Sequence, residues 1–318
     1  MFHPQPGTHV PSTDAPAVPD SVRALMQELG PVWGHDIKGH TRRMIEAYDA
    51  LHAAAPKHGR REMDLPYGPH ERHRLDVYAP PSGGGRPAMG RPVLMFVHGG
   101  AFVDGEKNRT SEIYANVLWF MARHGIVGVN VEFRLAPEHP FPSATEDIAA
   151  AVRWVRQHAR QWGGDPDRIF LMGHSAGGTH AGHYAGDTRF HPEGGSGLAG
   201  LILVSGRVRA EAGAENPNAR RVEAYYGVDA GRMEEGSPVT YAARGLAGLP
   251  IMLAVAQYEN PLIDVHNAEL YHALSIHRRR SPRFVWLAGH NHTSIVAHLN
   301  TADAGFGLAL LDFIGNGG

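Results

Sequence analysis

Cysteine is absent from this chain of 318 residues. Its absence excludes disulfide bridges, a thiol nucleophile and a cysteine-based zinc site, and it fits a reducing cytoplasm. Long apolar runs are also missing, since none approaches the roughly 18 residues that a membrane-spanning helix needs. Residues 1–19 have neither the basic start nor the apolar stretch of a signal peptide, so we expect a poorly ordered tail there. These absences predict a cytoplasmic protein with no membrane partner.

A surplus of charge of either sign is missing too. The 30 basic and 32 acidic residues leave a formal net charge of −2. Without a basic surplus there is no electrostatic reason to expect binding to nucleic acid. The chain is instead rich in hydrophobic residues, at 42%, which is enough for a sizeable core. The 22 histidines are mostly scattered singly, a pattern more typical of surface residues than of metal ligands.

Apolar runs and helical patterns alternate along the chain. The runs predict buried strands at 92–97, 126–133, 168–172, 198–205, 250–256 and 283–287. Helices are predicted at 21–29, 41–55, 111–124, 143–162, 176–185, 220–226, 262–278 and 294–313, the last with glycine breaks at 305 and 307. Two earlier strands, 61–67 and 73–78, are expected to form an antiparallel start. Strands that alternate with helices indicate an α/β protein with a mostly parallel, doubly wound central sheet flanked by helices.

The segment 206–249 breaks this alternation. It is a long insertion between two late strands, and insertions at the carboxyl ends of strands commonly cover a site. We therefore expect one domain, 61–318, with a small lid from this insertion, preceded by a tail and two helices in 1–60. Those two helices are either structural or part of the lid. The apolar residues of the insertion either line a pocket or pack onto the body of the protein; they are Val222, Tyr225, Tyr226 and Met233.

A turn of small residues, Gly173-His174-Ser175-Ala176-Gly177, links a predicted strand to a predicted helix. A serine in a G-x-S-x-G frame at such a turn is typical of a nucleophile elbow. The serine backbone is held strained so that Oγ projects, and the flanking glycines leave room where a Cβ would collide with the neighbouring strand and helix. The sequence therefore predicts Ser175 as a nucleophile.

A serine nucleophile needs a base, and two histidines follow the last predicted strand. They are His290 and His292, in the loop 288–294. In a fold of this kind the base comes last in the chain and just after a strand. We favour His292, and His290 stays the alternative.

An acid must orient that base, and two carboxylates follow the strand 250–256. Glu259 lies in the loop itself, whereas Asp264 is expected in the first turn of the next helix. A carboxylate in a first helical turn is explained by its favourable interaction with the helix dipole. We therefore favour Glu259, which would hold the imidazole in the right tautomer and stabilise its charged form.

Acyl transfer also needs donors for the oxyanion of a tetrahedral intermediate. The segment His98-Gly99-Gly100 follows the buried strand 92–97, and consecutive glycines let the backbone turn its N–H groups into a site. With the N–H of Ala176, just after the nucleophile, Gly99 and Gly100 are predicted to make a three-donor oxyanion hole.

Three motifs together resemble the hormone-sensitive-lipase-like branch of the α/β-hydrolase esterases. They are His98-Gly99-Gly100, the segment Phe133-Arg134-Leu135-Ala136-Pro137-Glu138-His139-Pro140-Phe141-Pro142, and Gly173-His174-Ser175-Ala176-Gly177-Gly178. The loop 289–292 is also similar to that of small carboxylesterase and arylformamidase-like members. The similarity covers about residues 75–292. It implies the α/β-hydrolase fold, serine esterase activity on short to medium acyl chains, an HGG oxyanion hole, and a lid of N-terminal helices plus an insertion.

Two positions depart from that family pattern. Glu132-Phe133 stands where the family usually has Asp-Tyr, so a tyrosine hydroxyl is missing. The family acid is usually Asp, whereas Glu259 occupies the matching place. The second departure bears on which residue is the acid and leaves the reaction class unchanged.

The sequence thus predicts a serine hydrolase that cleaves small-molecule carboxylic esters through an acyl-enzyme on Ser175. We expect no cofactor, no metal, and a monomer or homodimer. An amidase or arylformamidase with the same triad is the main alternative, and a hydrolase-fold binding protein without turnover is a second. A metal-dependent hydrolase is disfavoured, because the histidine pairs His290/His292 and His180/His183 lack a third ligand at suitable spacing.

Overall fold

The computed structural model describes residues 15–81, 89–278 and 281–316. Most of the predicted N-terminal tail and most of the glycine-rich loop at 82–91 lie outside these ranges. The described end of the tail corrects the prediction, because it is packed against the body. The side chain of Val18 is buried, and the carbonyl of Pro16 accepts a hydrogen bond from the Ala302 N–H at 2.9 Å.

Eight strands of the described residues form one sheet in the order β1-β2-β4-β3-β5-β6-β7-β8. The strands are β1 (Arg60–Pro66), β2 (Arg74–Ala79), β3 (Arg91–Val97), β4 (Val127–Val131), β5 (Gly164–His174), β6 (Gly200–Val204), β7 (Ile251–Tyr258) and β8 (Arg283–Asn291). β2 runs antiparallel to both β1 and β4, and all later pairs are parallel. The predicted fold class is confirmed.

Helices cover both faces of this sheet. They are α1 (Asp20–Leu29), α2 (Ile37–Ala53), α3 (Ala115–Arg123), α4 (Ser143–His158), α5 (Ala176–Gly186), α6 (Ala219–Tyr226), α7 (Ala230–Glu235), α8 (Ile263–His277), α9 (Ser294–Ala297) and α10 (Gly305–Asn316). Short 3-10 helices occupy Gly30–His35, Ala159–Trp162, Thr188–Phe190 and Pro238–Tyr241. Within the described ranges, none of the helices has both the length and the apolar character to cross a membrane.

Strand β3 shows why the central strands have continuous apolar sequences. Successive side chains of a strand point to opposite faces of the sheet. Val93, Met95 and Val97 accordingly enter one core cluster, whereas Leu94 and Phe96 enter the other. A strand covered by helices on both faces therefore has few positions for polar residues. Buried Asn130 of β4 is such an exception, and its side-chain amide donates to the Lys107 carbonyl.

Several predicted boundaries are wrong, and for three of them the structure shows the cause. Helix α3 begins at Ala115 rather than near 111, because Tyr114 has φ = 77°, which a right-handed helix cannot accommodate. The last predicted helix is split into α9 and α10, and Asn300 with φ = 70° lies in the break, ahead of the predicted glycine. Strand β8 continues to Asn291 because its pairing with β7 extends to Tyr258.

The insertion 206–249 packs onto the body of the protein. Val222, Tyr225 and Tyr226 are all buried and belong to the same core cluster as the central strands. Of the two interpretations of these apolar residues, packing onto the body is the one that the structure supports. The insertion also contains α7, which the sequence analysis missed and whose first turn is capped by the side chain of Asp229.

The predicted reason for the elbow glycines is borne out by the backbone spacing. A Cβ on Gly177 would lie 2.3 Å from the carbonyl oxygen of Val97 and 2.4 Å from that of His98. A Cβ on Gly173 would lie 2.3 Å from the carbonyl oxygen of Gly177. Since these neighbours are backbone atoms, they cannot move aside as a flexible side chain could.

We therefore predict that Gly177→Ala lowers the free energy of unfolding by about 3 kcal/mol, because the methyl group forces β3 and α5 apart. Gly34→Ala is the matched control, since a Cβ there meets nothing within 4 Å, and its effect should stay within about 0.5 kcal/mol. Urea unfolding followed by circular dichroism measures both. Equal stabilities for the two variants would contradict the close-approach argument.

Candidate active site

Ser175 lies in the turn between β5 and α5. Its backbone has φ = 56° and ψ = −123°, a strained conformation for a residue with a side chain. Two backbone hydrogen bonds hold the turn. The Ser175 N–H donates to the carbonyl of Val204 at 3.1 Å, and the Arg207 N–H donates to the Ser175 carbonyl at 3.0 Å. The hydroxyl therefore projects from the carboxyl edge of the sheet, as the sequence analysis predicts.

His292 connects Ser175 to Glu259. Its Nε2 lies 3.0 Å from the Ser175 Oγ, and its Nδ1 lies 2.6 Å from the Glu259 Oε2. The sheet register explains this meeting, because Tyr258 of β7 pairs with Asn291 of β8. Glu259 directly follows β7 and His292 directly follows β8, so the two side chains leave the sheet next to each other.

Glu259 is buried, and two further hydrogen bonds hold its carboxylate in place. Its side chain is only 3% exposed, and its second oxygen, Oε1, accepts hydrogen bonds from the Ala256 N–H at 2.8 Å and the Ser205 hydroxyl at 2.5 Å. Ser205 follows β6 directly and has φ = 45°. The sequence analysis missed Ser205, although its position just after a buried strand is the signal that could have found it.

The two alternative residues lie elsewhere. Asp264 is exposed in the first turn of α8, the place expected for a carboxylate that favours the helix dipole. His290 Nε2 contacts the Asp303 Oδ2 at 3.2 Å. The structure thus brings Ser175, His292 and Glu259 together and leaves Asp264 and His290 outside that chain of contacts.

Two of the three predicted oxyanion donors, Gly99 and Ala176, adjoin Ser175. Gly99 approaches so closely that a Cβ on it would lie 2.9 Å from the Ser175 Cβ. Gly100 has φ = 147°, which in practice requires glycine. Ala176 is the first residue of α5, and the first N–H groups of a helix have no partner within it.

Buried Tyr114 bears on one of these donors. Burial raises the pKa of its hydroxyl, while the charge of Arg109 and a hydrogen bond from the Gly99 backbone oppose that rise.

Glu132 supports the loop that carries these glycines. Its carboxylate accepts hydrogen bonds from the His98 Nε2 and the Lys107 N–H, both at 2.9 Å, and it pairs with Arg72. Burial alone would raise the pKa of Glu132, but the hydrogen bond from His98 and the charges of His98 and Arg72 outweigh burial and lower it. The departure from Asp-Tyr at this position thus places an ionised carboxylate behind the oxyanion loop.

The N-terminal segment reaches the same edge of the sheet. The Trp33 Nε1 donates to the Asn260 Oδ1 at 2.8 Å, and the Thr293 hydroxyl contacts that of Thr41 at 3.4 Å. Asn260 and Thr293 each follow a residue of the Glu259–His292 pair. These contacts span more than 220 residues of sequence, so no local pattern could have predicted them.

The imidazole of His174 contacts the backbone of His292. Its Nε2 lies 2.9 Å from the carbonyl oxygen of His292. Burial lowers the pKa of His174 to about 3, so the ring is neutral and donates one hydrogen bond to that carbonyl. A neutral neighbour leaves the positive charge that develops on His292 to be balanced by Glu259.

Comparisons with known proteins identify the fold family of this chain. A family model described as alpha/beta hydrolase fold matches residues 94–274. Esterase LipI of Mycobacterium tuberculosis is 47% identical over 93 residues, which is 28% of this chain and 27% of that protein. Probable carboxylesterase 3 of Arabidopsis thaliana is 34% identical over 120 residues, 36% of each. The chain therefore matches well under half the length of either relative.

A solved structure extends the likeness over nearly the whole chain. An esterase of Pyrobaculum calidifontis superimposes with a TM-score of 0.70 and covers 94% of this chain and 98% of its own. Its sequence identity is 22%, so this likeness concerns the fold.

We predict that Glu132→Gln lowers the free energy of unfolding by about 2–3 kcal/mol at pH 7, because charge-assisted hydrogen bonds are lost. The pKa of Glu132 is lower in the folded protein than the roughly 4.3 of an unfolded chain, so its contribution is present above that value and is lost as the pH falls through the folded pKa. In urea unfolding, the difference between the variant and the native protein should therefore stay constant from pH 7 to about pH 5.5 and shrink as the pH is lowered through about 4.3 and below.

Glu146→Gln is the control for this measurement. Glu146 is half exposed and pairs with Arg134 at 3.1 Å. An exposed pair of this kind contributes about 0–1 kcal/mol. A loss of stability in Glu132→Gln that is no larger than in the control, or that is independent of pH, would refute the role given to the Glu132 charge.

Proposed function

Since the chain belongs to the alpha/beta hydrolase fold family, we propose that it is a serine hydrolase that cleaves carboxylic esters. One observation carries the proposal: His292 lies within hydrogen-bond distance of both Ser175 and Glu259, at 3.0 Å and 2.6 Å. That geometry is what a hydroxyl needs to become a nucleophile at neutral pH. The esterase and carboxylesterase names of the relatives point to the same reaction class.

In the first half of the proposed reaction, the Ser175 Oγ attacks the ester carbonyl carbon while His292 Nε2 takes the hydroxyl proton. The carbonyl oxygen becomes an oxyanion beside the N–H groups of Gly100 and Ala176, with Gly99 as the third predicted donor. Glu259 stabilises the imidazolium through Nδ1. When the intermediate collapses, the ester C–O bond breaks, and Nε2 gives its proton to the leaving alcohol.

In the second half, water hydrolyses the acyl-enzyme. His292 Nε2 takes a proton from water as its oxygen attacks the acyl carbon, and a second oxyanion forms at the same donors. The bond to the Ser175 Oγ then breaks, and the serine recovers its proton from His292. The products are a carboxylic acid and an alcohol, and the enzyme returns to its starting state.

We propose short to medium acyl chains as substrates and a lid built from the N-terminal helices and the insertion 206–249. Two contacts support the lid. Tyr225 of the insertion stacks on Phe102 of the oxyanion loop with ring centroids 5.2 Å apart and planes 11° apart, and its carbonyl accepts the Phe141 N–H at 2.8 Å. The insertion is thus fastened to the loop that carries the proposed donors.

We propose a small-molecule partner, a cytoplasmic location and an assembly of one or two copies. The partner is a small-molecule ester rather than nucleic acid, which fits the formal net charge of −2. A cytoplasmic location fits a chain of 318 residues without cysteine. A monomer or homodimer is proposed, and β8, at the edge of the sheet, could pair between two copies.

We predict that the native protein hydrolyses a p-nitrophenyl ester series and that Ser175→Ala removes turnover by on the order of 10⁵-fold or more. The acyl length with the highest kcat/KM then sizes the acyl pocket. Native protein that turns over no ester but cleaves an aryl formamide would replace the esterase by the formamidase. Folded protein inert toward both would favour a binding role.

The acid and base assignments are tested by pairs of variants. Glu259→Gln should lower kcat about 10⁴-fold, because the imidazole loses the group that fixes its tautomer, whereas exposed Asp264→Asn should change it less than about twofold. His292→Ala should abolish turnover, and His290→Ala should retain most of it. If Asp264→Asn lost activity while Glu259→Gln kept it, the acid would be Asp264. If His290→Ala lost activity while His292→Ala kept it, the base would be His290.

A further inference from the structure

A second cluster of histidine and carboxylate lies at the end of β8, next to the proposed triad. It consists of His290, His298 and Asp303, each of which offers one ligand atom within 4.8 Å of the other two. The His290 Nε2 and the Asp303 Oδ2 are 3.2 Å apart, and the two imidazole centroids are 4.3 Å apart. The proposed hydrolysis uses none of these three side chains.

One residue, Ser294, orients both imidazoles. Its carbonyl lies 2.7 Å from the Nδ1 of His298, and its hydroxyl lies 3.2 Å from the Nδ1 of His290. A carbonyl only accepts, so His298 carries its proton on Nδ1 and exposes a lone pair on Nε2. Metal-bound histidines are held in this way, with the second ring nitrogen donating to a carbonyl or another acceptor.

The Nε2 of His298 is unpaired in the described part of the protein. His298 is fully buried, and this atom has no hydrogen-bond partner there. A buried acceptor without a partner normally destabilises a fold by about 1–3 kcal/mol, so this lone pair calls for an explanation.

A cavity of about 460 Å³ lies beside the cluster. Its wall includes two of the three cluster residues, His290 and Asp303, together with N-terminal residues such as Val18 and Met26. Asp303 is 42% exposed, so an ion can reach it from solvent. Arg23, the nearby cation on this wall, is paired with Asp20 at 2.6 Å.

We propose that His290, His298 and Asp303 bind one divalent transition-metal ion such as Zn²⁺, through two Nε2 atoms and one carboxylate oxygen. In a tetrahedral zinc site with bonds of about 2.0–2.1 Å, neighbouring ligand atoms are about 3.3 Å apart. The distance between His290 and Asp303 already matches. The ligand atom of His298 lies within 4.8 Å of both and has to move closer when an ion binds. Two imidazoles select a zinc-like ion over Mg²⁺ or Ca²⁺, which prefer oxygen ligands.

The bound ion would act on structure rather than on the ester. It joins the end of β8 to the segment that leads into α10, and it leaves a fourth coordination position facing the cavity. His292 is two residues from this site but contacts Ser175 and Glu259 instead. The proposal does not depend on the proposed function, and it departs from the sequence-based expectation of no metal.

Isothermal titration of the untagged, chelator-stripped full chain with Zn²⁺ tests the site. The native protein should bind one equivalent, and Asp303→Asn and His298→Gln should each weaken binding by at least about 100-fold. His272→Gln, which removes an exposed histidine of α8, is the matched control and should bind like the native protein. Native binding that is no tighter than in the two ligand variants would overturn the proposal.

A second measurement keeps the test decisive if the buried variant perturbs the fold. Co²⁺ in place of Zn²⁺ should give the strong visible absorption of a low-coordinate site in the native protein and in His272→Gln, but not in Asp303→Asn. The Asp303→Asn side chain has the same shape as the native one and lies at a partly exposed position, so this variant should keep the fold. Saturating Zn²⁺ should also raise the thermal midpoint of the native protein and leave that of Asp303→Asn unchanged. A weak, octahedral Co²⁺ spectrum in the native protein would refute the site.

Discussion

The close approach of two backbones, rather than any side-chain contact, is the constraint on which the rest of the site depends. The α5 backbone at Gly177 touches the carbonyls of Val97 and His98, where β3 ends. The strained serine and the glycine loop are thus fixed against each other by the centre of the sheet. Because both come from strands buried on two faces, the whole core resists any relative movement of nucleophile and oxyanion donors.

The sheet register supplies the remaining alignment. Residues that immediately follow paired strand positions emerge beside one another at the carboxyl edge, and this places Glu259 against His292 and Gly99 against Ser175. Loops contribute little to these positions. The supporting contacts from Ser205, His174 and Trp33 then limit how far each side chain can rotate. Chemistry that needs sub-ångström placement is in this way built on strand ends.

The sequence predicts the fold and the three central side chains because their signals are local. A doubly covered strand has to be mostly apolar, and an elbow serine needs small neighbours on both sides. Other features depend on tertiary structure and leave no local trace. Tyr114 adopts a left-handed backbone, and Asp303 meets His290 only because α9 and the following turn fold back on β8. For the same reason the choice between His290 and His292 needed the register of β8.

The long separation between nucleophile and proposed base has a consequence for synthesis of the chain. The elbow is built from β3, β5 and α5 and is held by the end of β6, and all of these precede residue 292, which follows Ser175 by 117 positions. A nascent chain that has not reached that residue therefore holds the elbow serine without its proton acceptor. The acceptor comes with β8, the edge strand, so the proposed hydrolysis can begin only after residue 292 has been added.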